Sequence, residues 1–276
     1  MAVFIGLLVA AGFGSGDFLG GLASRRARMI SVLALAQVVA VLGAIVFALV
    51  FGGSPTGRQL AFGAFAGALN VVALGALYQG LALGRMGVVA PITAVVASCI
   101  PVIWGLATGE RPSAVALAGV ACAIVAGGMI AREHDAATGG GRRALVLALG
   151  AGLLFGWSFV LYAESREGSG FWPVLTGRAA AVVLVLFVVV LTRATLHLPS
   201  PESWMAVGAG AVDVGATVLL LVAVRRGLES LVAPVAALGP AFTVACAWAV
   251  LREPVAKLQL AGLLLALVGL VLIAAG

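Results

Sequence analysis

Gly84-Arg85-Met86-Gly87-Val88-Val89-Ala90-Pro91 and Gly227-Leu228-Glu229-Ser230-Leu231-Val232-Ala233-Pro234 open two stretches, 84–131 and 227–274, that superpose at an offset of 143 without a gap. Val89-Ala90-Pro91 falls on Val232-Ala233-Pro234, Glu110 on Glu253, Leu117-Ala118-Gly119 on Leu260-Ala261-Gly262, and Ile130-Ala131 on Ile273-Ala274. Upstream at the same offset Asn70 meets Asp213. At 141, Phe18 meets Phe159, Ser24-Arg25 meets Ser165-Arg166 and Gln37 meets Arg178. In-register matching through several segments is the mark of internal duplication.

The duplicated unit is made for a bilayer. The 276 residues are 63% hydrophobic and 9% charged, with a mean hydropathy of +1.22, more apolar surface than a soluble core of this size could hide. The net charge of +6 sits between apolar runs: Arg25, Arg26 and Arg28; Arg132, Arg142 and Arg143; Arg225 and Arg226; Arg252 and Lys257. That is the pattern of short loops at a membrane face. No basic stripe interleaved with aromatics exists, so nucleic acid is excluded as a partner. Cys99, Cys122 and Cys246 lie in apolar runs, and with His134 and His197 they form no metal-ligand spacing. No cofactor and no metal are expected.

Ten apolar runs are long enough to cross about 30 Å of hydrocarbon. They read as 2–23, 30–51, 59–82, 87–107, 113–131, 144–163, 171–192, 203–224, 230–250 and 257–275. Breaks fall at Gly52-Gly53-Ser54-Pro55, Gly109-Glu110-Arg111-Pro112, Pro199-Ser200-Pro201-Glu202 and Arg252-Glu253-Pro254. The first run has no basic residue before it and carries Asp17, so it reads as a retained helix rather than a secretory signal. The predicted fold is an all-α integral membrane protein of ten transmembrane helices. Residues 1–131 form one five-helix repeat, 132–143 a flexible connector and 144–276 the second repeat. Five helices is an odd number, so the second repeat enters from the opposite side and the two repeats are inverted.

Each half ends in an apolar-Pro run, a Glu-bearing loop and a Gly-bearing last helix. The first set is Val88-Val89-Ala90-Pro91, Gly109-Glu110-Arg111-Pro112 and Leu117-Ala118-Gly119. The second is Ser230-Leu231-Val232-Ala233-Pro234, Leu251-Arg252-Glu253-Pro254 and Leu260-Ala261-Gly262. In this the chain resembles the drug/metabolite transporter superfamily, and within it the EamA-domain exporters, over essentially its whole length. Where that family often has Trp-Gly-Ser-Asn in the first helix, this chain has Phe13-Gly14-Ser15-Gly16-Asp17. The resemblance implies a solute carrier working by alternating access without ATP, in a bacterial-type inner or plasma membrane, with cytoplasmic termini. Counting Lys and Arg loop by loop places the termini outside instead.

Intramembrane polar residues nominate the site. A carboxylate at the bilayer centre costs about 2.5–3.5 kcal/mol on insertion scales, so Asp213, mid-way along the eighth run, should face protein or a watery cavity. Its repeat mate Asn70 follows a Gly63-x-x-x-Gly67 pair that favours close helix packing. The two should lie on related walls of one central cavity. Asp17 adjoins the Gly12, Gly16, Gly20 stripe; it and Asp213 are the candidates for a coupling proton, unless Asp17 pairs with Arg25 or Arg26. Arg178 either snorkels to the headgroups or pairs with Asp17, Asp213 or a solute carboxylate. Trp157, Ser158 and Tyr162, with Tyr78 and Gln79, could wall a solute, although a membrane-interface belt explains the tyrosines equally. Pro91 and Pro234 are candidate hinges. Two acids against one arginine suggest a small solute with a cationic or zwitterionic part: an amino acid or an amphipathic amine. The competing readings are a membrane-embedded lipid-modifying enzyme using Asp17 and Asp213, and a non-transporting membrane subunit.

Overall fold

A computed structural model of the chain describes residues 2–109, 113–135, 141–165, 168–225, 239–252 and 257–275. Among them are ten helices and no strand: α1 (Ala2–Arg26), α2 (Met29–Phe51), α3 (Gly57–Leu83), α4 (Met86–Ala107), α5 (Ala114–Asp135), α6 (Gly141–Glu164), α7 (Trp172–Thr192), α8 (Ser200–Arg225), α9 (Gly239–Cys246, continuing as a π-helical turn Ala247–Leu251) and α10 (Lys257–Ala275). Seven, α1 to α4 and α6 to α8, carry described apolar stretches long enough to cross a membrane. The described residues are all-helical, and the chain is an integral membrane protein. Pro234, Glu110 and Glu253 lie outside the described residues. α5 and α6 extend into the stretch expected to be the connector, as far as Asp135 and from Gly141.

The helix ends follow local chemistry. Thr56 and Gln59 form a reciprocal capping box at the start of α3. Pro173 begins α7, where its missing N–H costs nothing. Gly52, at φ 61°, turns the chain out of α2. The α2–α3 loop meets the α6–α7 loop through Ser54 N–H on the Gly168 carbonyl at 3.2 Å. At the opposite ends of α2 and α7, Arg28 donates to Thr195 Oγ1 at 3.2 Å.

Lipid tails are as apolar as leucine, so helices associate here by close packing, and small residues let backbones touch. Buried positions are accordingly rich in Ala and Gly, whereas Leu49, Val50, Val190 and Leu191 point outward. The backbones of Gly63 and Gly67 lie against Pro173 and Gly177, so α3 and α7 run parallel. Ala36 meets Gly210 and Gly43 meets Val214, so α2 and α8 run parallel too. Gly12 meets Ala216 while Gly16 meets Ala209, making α1 antiparallel to α8. Gly84 meets Ala144 and Gly80 meets Leu147, making α3 antiparallel to α6. α4 packs on α6, α9 on α1, α2 on α7, α4 on α9 and α5 on α10.

Candidate functional site

Arg178, on α7, stretches to Asp213, on α8, and its Nη2 stands 2.5 Å from Oδ2; the side chains are 11% and 29% exposed. The arginine therefore turns into the bundle instead of snorkelling to the headgroups. Asp213 sits one turn beyond the Gly210–Ala36 contact, and Arg178 directly follows the Gly177–Gly67 contact. The tight helix crossings thus fix both ends of the ion pair. An arginine held in apolar surroundings keeps its charge, so the pair is worth its desolvation only while both partners are present.

Asp17, on α1, is half-buried one residue past Gly16, whose backbone faces Asp213. It lies within electrostatic range of Asp213 and of Tyr78. Among the described residues it has no ion-pair partner. Arg25 does not reach back to it: its guanidinium donates to the carbonyls of Leu81 at 3.1 Å and Gly84 at 3.0 Å, at the end of α3. Tyr78 is 2% exposed and its ring lies over Gly20, where any Cβ would collide with it. Tyr162 directs its hydroxyl at Gly177, beside Arg178, and feels the charge of both Arg178 and Asp213. The tyrosines therefore belong to the interior and not to an interface belt.

Asp17, Tyr78, Tyr162, Arg178 and Asp213 form one polar cluster drawn from α1, α3, α6, α7 and α8. With one cation and two acids it carries one surplus carboxyl. Asn70 and Ser158 make a separate contact, Nδ2 donating to Oγ at 3.5 Å, while Ser158 gives its proton to the Phe155 carbonyl at 2.8 Å. Trp157 stands apart from both: it is 41% exposed and packs edge-on against Trp104 at 5.3 Å between ring centroids. Gln79 follows Tyr78 by one residue and so points about 100° away from it around α3. Pro91 is buried in the second turn of α4, and Pro101 lies further along the same helix. Among the described residues no group of three His, Cys, Asp or Glu could hold a metal ion.

One further buried polar residue was not nominated by the sequence reading. Gln37 is buried in α2, and its Oε1 has no hydrogen-bond partner. Its only signal was its alignment with Arg178.

The sequence profile of the EamA-like transporter family matches residues 142–275. No curated protein matches the chain.

Proposed function

We propose, from the match of residues 142–275 to the EamA-like transporter family, that the chain is a membrane transporter of the drug/metabolite kind and moves small metabolites by alternating access around a central site between two inverted five-helix repeats. The repeats are 1–131 and 144–276, joined by 132–143. The solute is an amino acid or an amphipathic amine, the direction is export, and movement is facilitative or coupled to protons.

The packing supports the inverted pair. Exchange each of α1 to α5 with its counterpart α6 to α10. The α3–α6 contact becomes α8–α1, α3–α7 becomes α8–α2 and α4–α6 becomes α9–α1, while α2–α7, α4–α9 and α5–α10 map onto themselves. All of these contacts occur. The exchange reaches single residues, since Gly67 on Gly177 becomes Gly210 on Ala36.

The observation that carries the central site is the Arg178–Asp213 pair with Asp17 beside it. Charged groups inside a membrane bundle are costly and mark solute or ion pathways. Arg178 neutralises Asp213, which leaves Asp17 to balance an ammonium group or to hold a proton. Tyr78 and Tyr162 supply ring faces and hydroxyls beside that charge. The test is a stabilisation screen of the purified protein against amines and amino acids at two pH values, followed by liposome flux of the hits. A ligand at a hundredfold its Kd adds about 2.7 kcal/mol, so micromolar binders register. Cationic or zwitterionic hits that cross the membrane are the expected result. Hits confined to anions or sugars would overturn the proposed solute class.

A further inference from the structure

α1 and α3 meet three times between Asp17 and the end of the bundle that carries the α1–α2 and α3–α4 loops. The Tyr78 ring lies over Gly20, three residues past Asp17. Leu81 packs on Gly21, where an added Cβ would stand 2.7 Å from the leucine Cβ. Arg25 then donates to the Leu81 carbonyl at 3.1 Å and the Gly84 carbonyl at 3.0 Å. Tyr78 and Leu81 are buried, and so is the Ser24 Oγ beside Arg25. The second half differs at the matching place. α6 runs antiparallel to α3 and α8 to α1, so α6 and α8 finish at the opposite end of the bundle. At the repeat offset, Leu161 and Tyr162 stand where α1 has Gly20 and Gly21, so α6 lacks the glycines that admit so close an approach. Among the described residues α1, α2 and α3 all pack on one another, whereas α6, α7 and α8 make no comparable packing among themselves.

We infer that Tyr78 seated on Gly20, backed by Leu81 on Gly21 and latched by Arg25, is the gate that shuts the Asp17 site from the α1–α2 loop end, and that this end opens when α1 parts from α3. This rests on the transporter reading, in which the two ends open in turn. The chemistry of the latch suits a contact that breaks and reforms. Leu81 lies in the last turn of α3, where carbonyls have no partner within the helix. Water can therefore replace the arginine when it leaves, and opening strands no buried acceptor. The seal above it depends on glycine, because any Cβ at Gly20 would collide with the Tyr78 ring. The gate is confined to the stretch beyond Asp17, so α1 can swing there while Gly12 and Gly16 stay on α8. With Leu161 and Tyr162 in the matching places, the other end closes through side chains instead of touching backbones.

The test uses the full chain in nanodiscs, where a charged maleimide reaches both faces, with Cys99, Cys122 and Cys246 replaced by alanine. One reporter is Ser24→Cys, at the latched end. The other, in a separate protein, is Leu161→Cys, the half-buried counterpart of Gly20 at the opposite end. Arg25→Ala is expected to raise labelling of Ser24→Cys roughly tenfold and to lower labelling of Leu161→Cys roughly fivefold, since unlatching one end shifts the population towards closure of the other. Arg25→Lys, which keeps a donor, should reverse part of both changes. A disulfide between Gly21→Cys and Leu81→Cys should cancel the effect of Arg25→Ala on Leu161→Cys, and reduction should restore it. Monodisperse elution establishes folding; if Arg25→Ala fails it, Gly21→Ala, whose Cβ is driven into that of Leu81, takes its place with the same expectation. Faster labelling at Ser24→Cys with none of the change at Leu161→Cys makes the contact a fixed brace and overturns the gate, as does unchanged labelling at both. Either result alongside flux of a screened amine or amino acid leaves transport standing. Reciprocal labelling in a protein that passes none of them upholds the gate and tells against the proposed solutes.

Discussion

The guanidinium of Arg178 stands 2.5 Å from Asp213, whereas Asp17 faces no cation among the described residues. Substituting the two acids should therefore give different results. Asp213→Asn strands Arg178 in the bundle and is expected to cost about 2 kcal/mol of stability, read as a lowered denaturation midpoint in detergent. Adding Arg178→Gln should recover most of that loss, and failure to recover it would mean that the ion pair contributes little. Asp17→Asn removes a carboxyl with no ionic partner, so stability should change by less than about 1 kcal/mol. Its effect should fall on transport. If Asp17 carries the coupling proton, exchange persists and accumulation driven by a pH gradient is lost; if it is the solute's counter-ion, binding weakens at every pH; unchanged binding and unchanged accumulation would remove it from the mechanism. Both acids were legible in the sequence because a charge in an apolar run is expensive wherever it points. The aromatic residues were not. Tyr78 and Tyr162 turn inward and Trp157 turns outward, and with every face of these helices apolar no polar stripe distinguishes the two directions.

Helices in this protein meet at glycine. A Cβ on Gly67 would run into the Gly177 backbone, which cannot swing aside like a flexible side chain, whereas a Cβ on Gly215 would meet nothing within 4 Å. Gly67→Ala is expected to destabilise by about 1–3 kcal/mol through forced separation of α3 and α7. Gly215→Ala should be neutral or stabilising by up to about 1 kcal/mol, because alanine is the better helix former. Equal melting temperatures for the two variants would contradict the packing described. Replacing Arg25 by alanine removes two hydrogen bonds between α1 and the end of α3, and is expected to increase labelling of a cysteine placed at Ser24. Helix positions could be read closely from the sequence because run length is set by membrane thickness. Which helices touch could not, since small residues recur on several faces: Gly12 and Gly16 face α8, but Gly20 of the same stripe faces Tyr78.

Among the described residues, packing links α1 to α5 with α6 to α10 more than it links the helices within either set. α1 of the first half lies on α8 and α9 of the second, and α6 of the second lies on α3 and α4 of the first. Two matching offsets could be read in the sequence, but the interlocking of α1 to α5 with α6 to α10 could not, because it depends on the direction of each helix. Orientation in the membrane is a separate question on which loop charge and family resemblance disagree. We propose cytoplasmic termini: a green fluorescent protein fused to the C-terminus should fluoresce, and alkaline phosphatase fused there should be inactive, with the reverse pattern favouring the charge count. The interlocked halves leave Asp213 and Asn70 at matching crossings, which is the basis for placing the solute between them. Flux of the screened solute through liposomes containing Asn70→Trp, Asp213→Trp or the Gly215→Ala control tests that placement most directly. Flux is expected to fall at least about tenfold, equivalent to about 1.4 kcal/mol, in both tryptophan variants while they remain folded and inserted and the control transports normally. Normal flux through both tryptophan variants would put the site elsewhere.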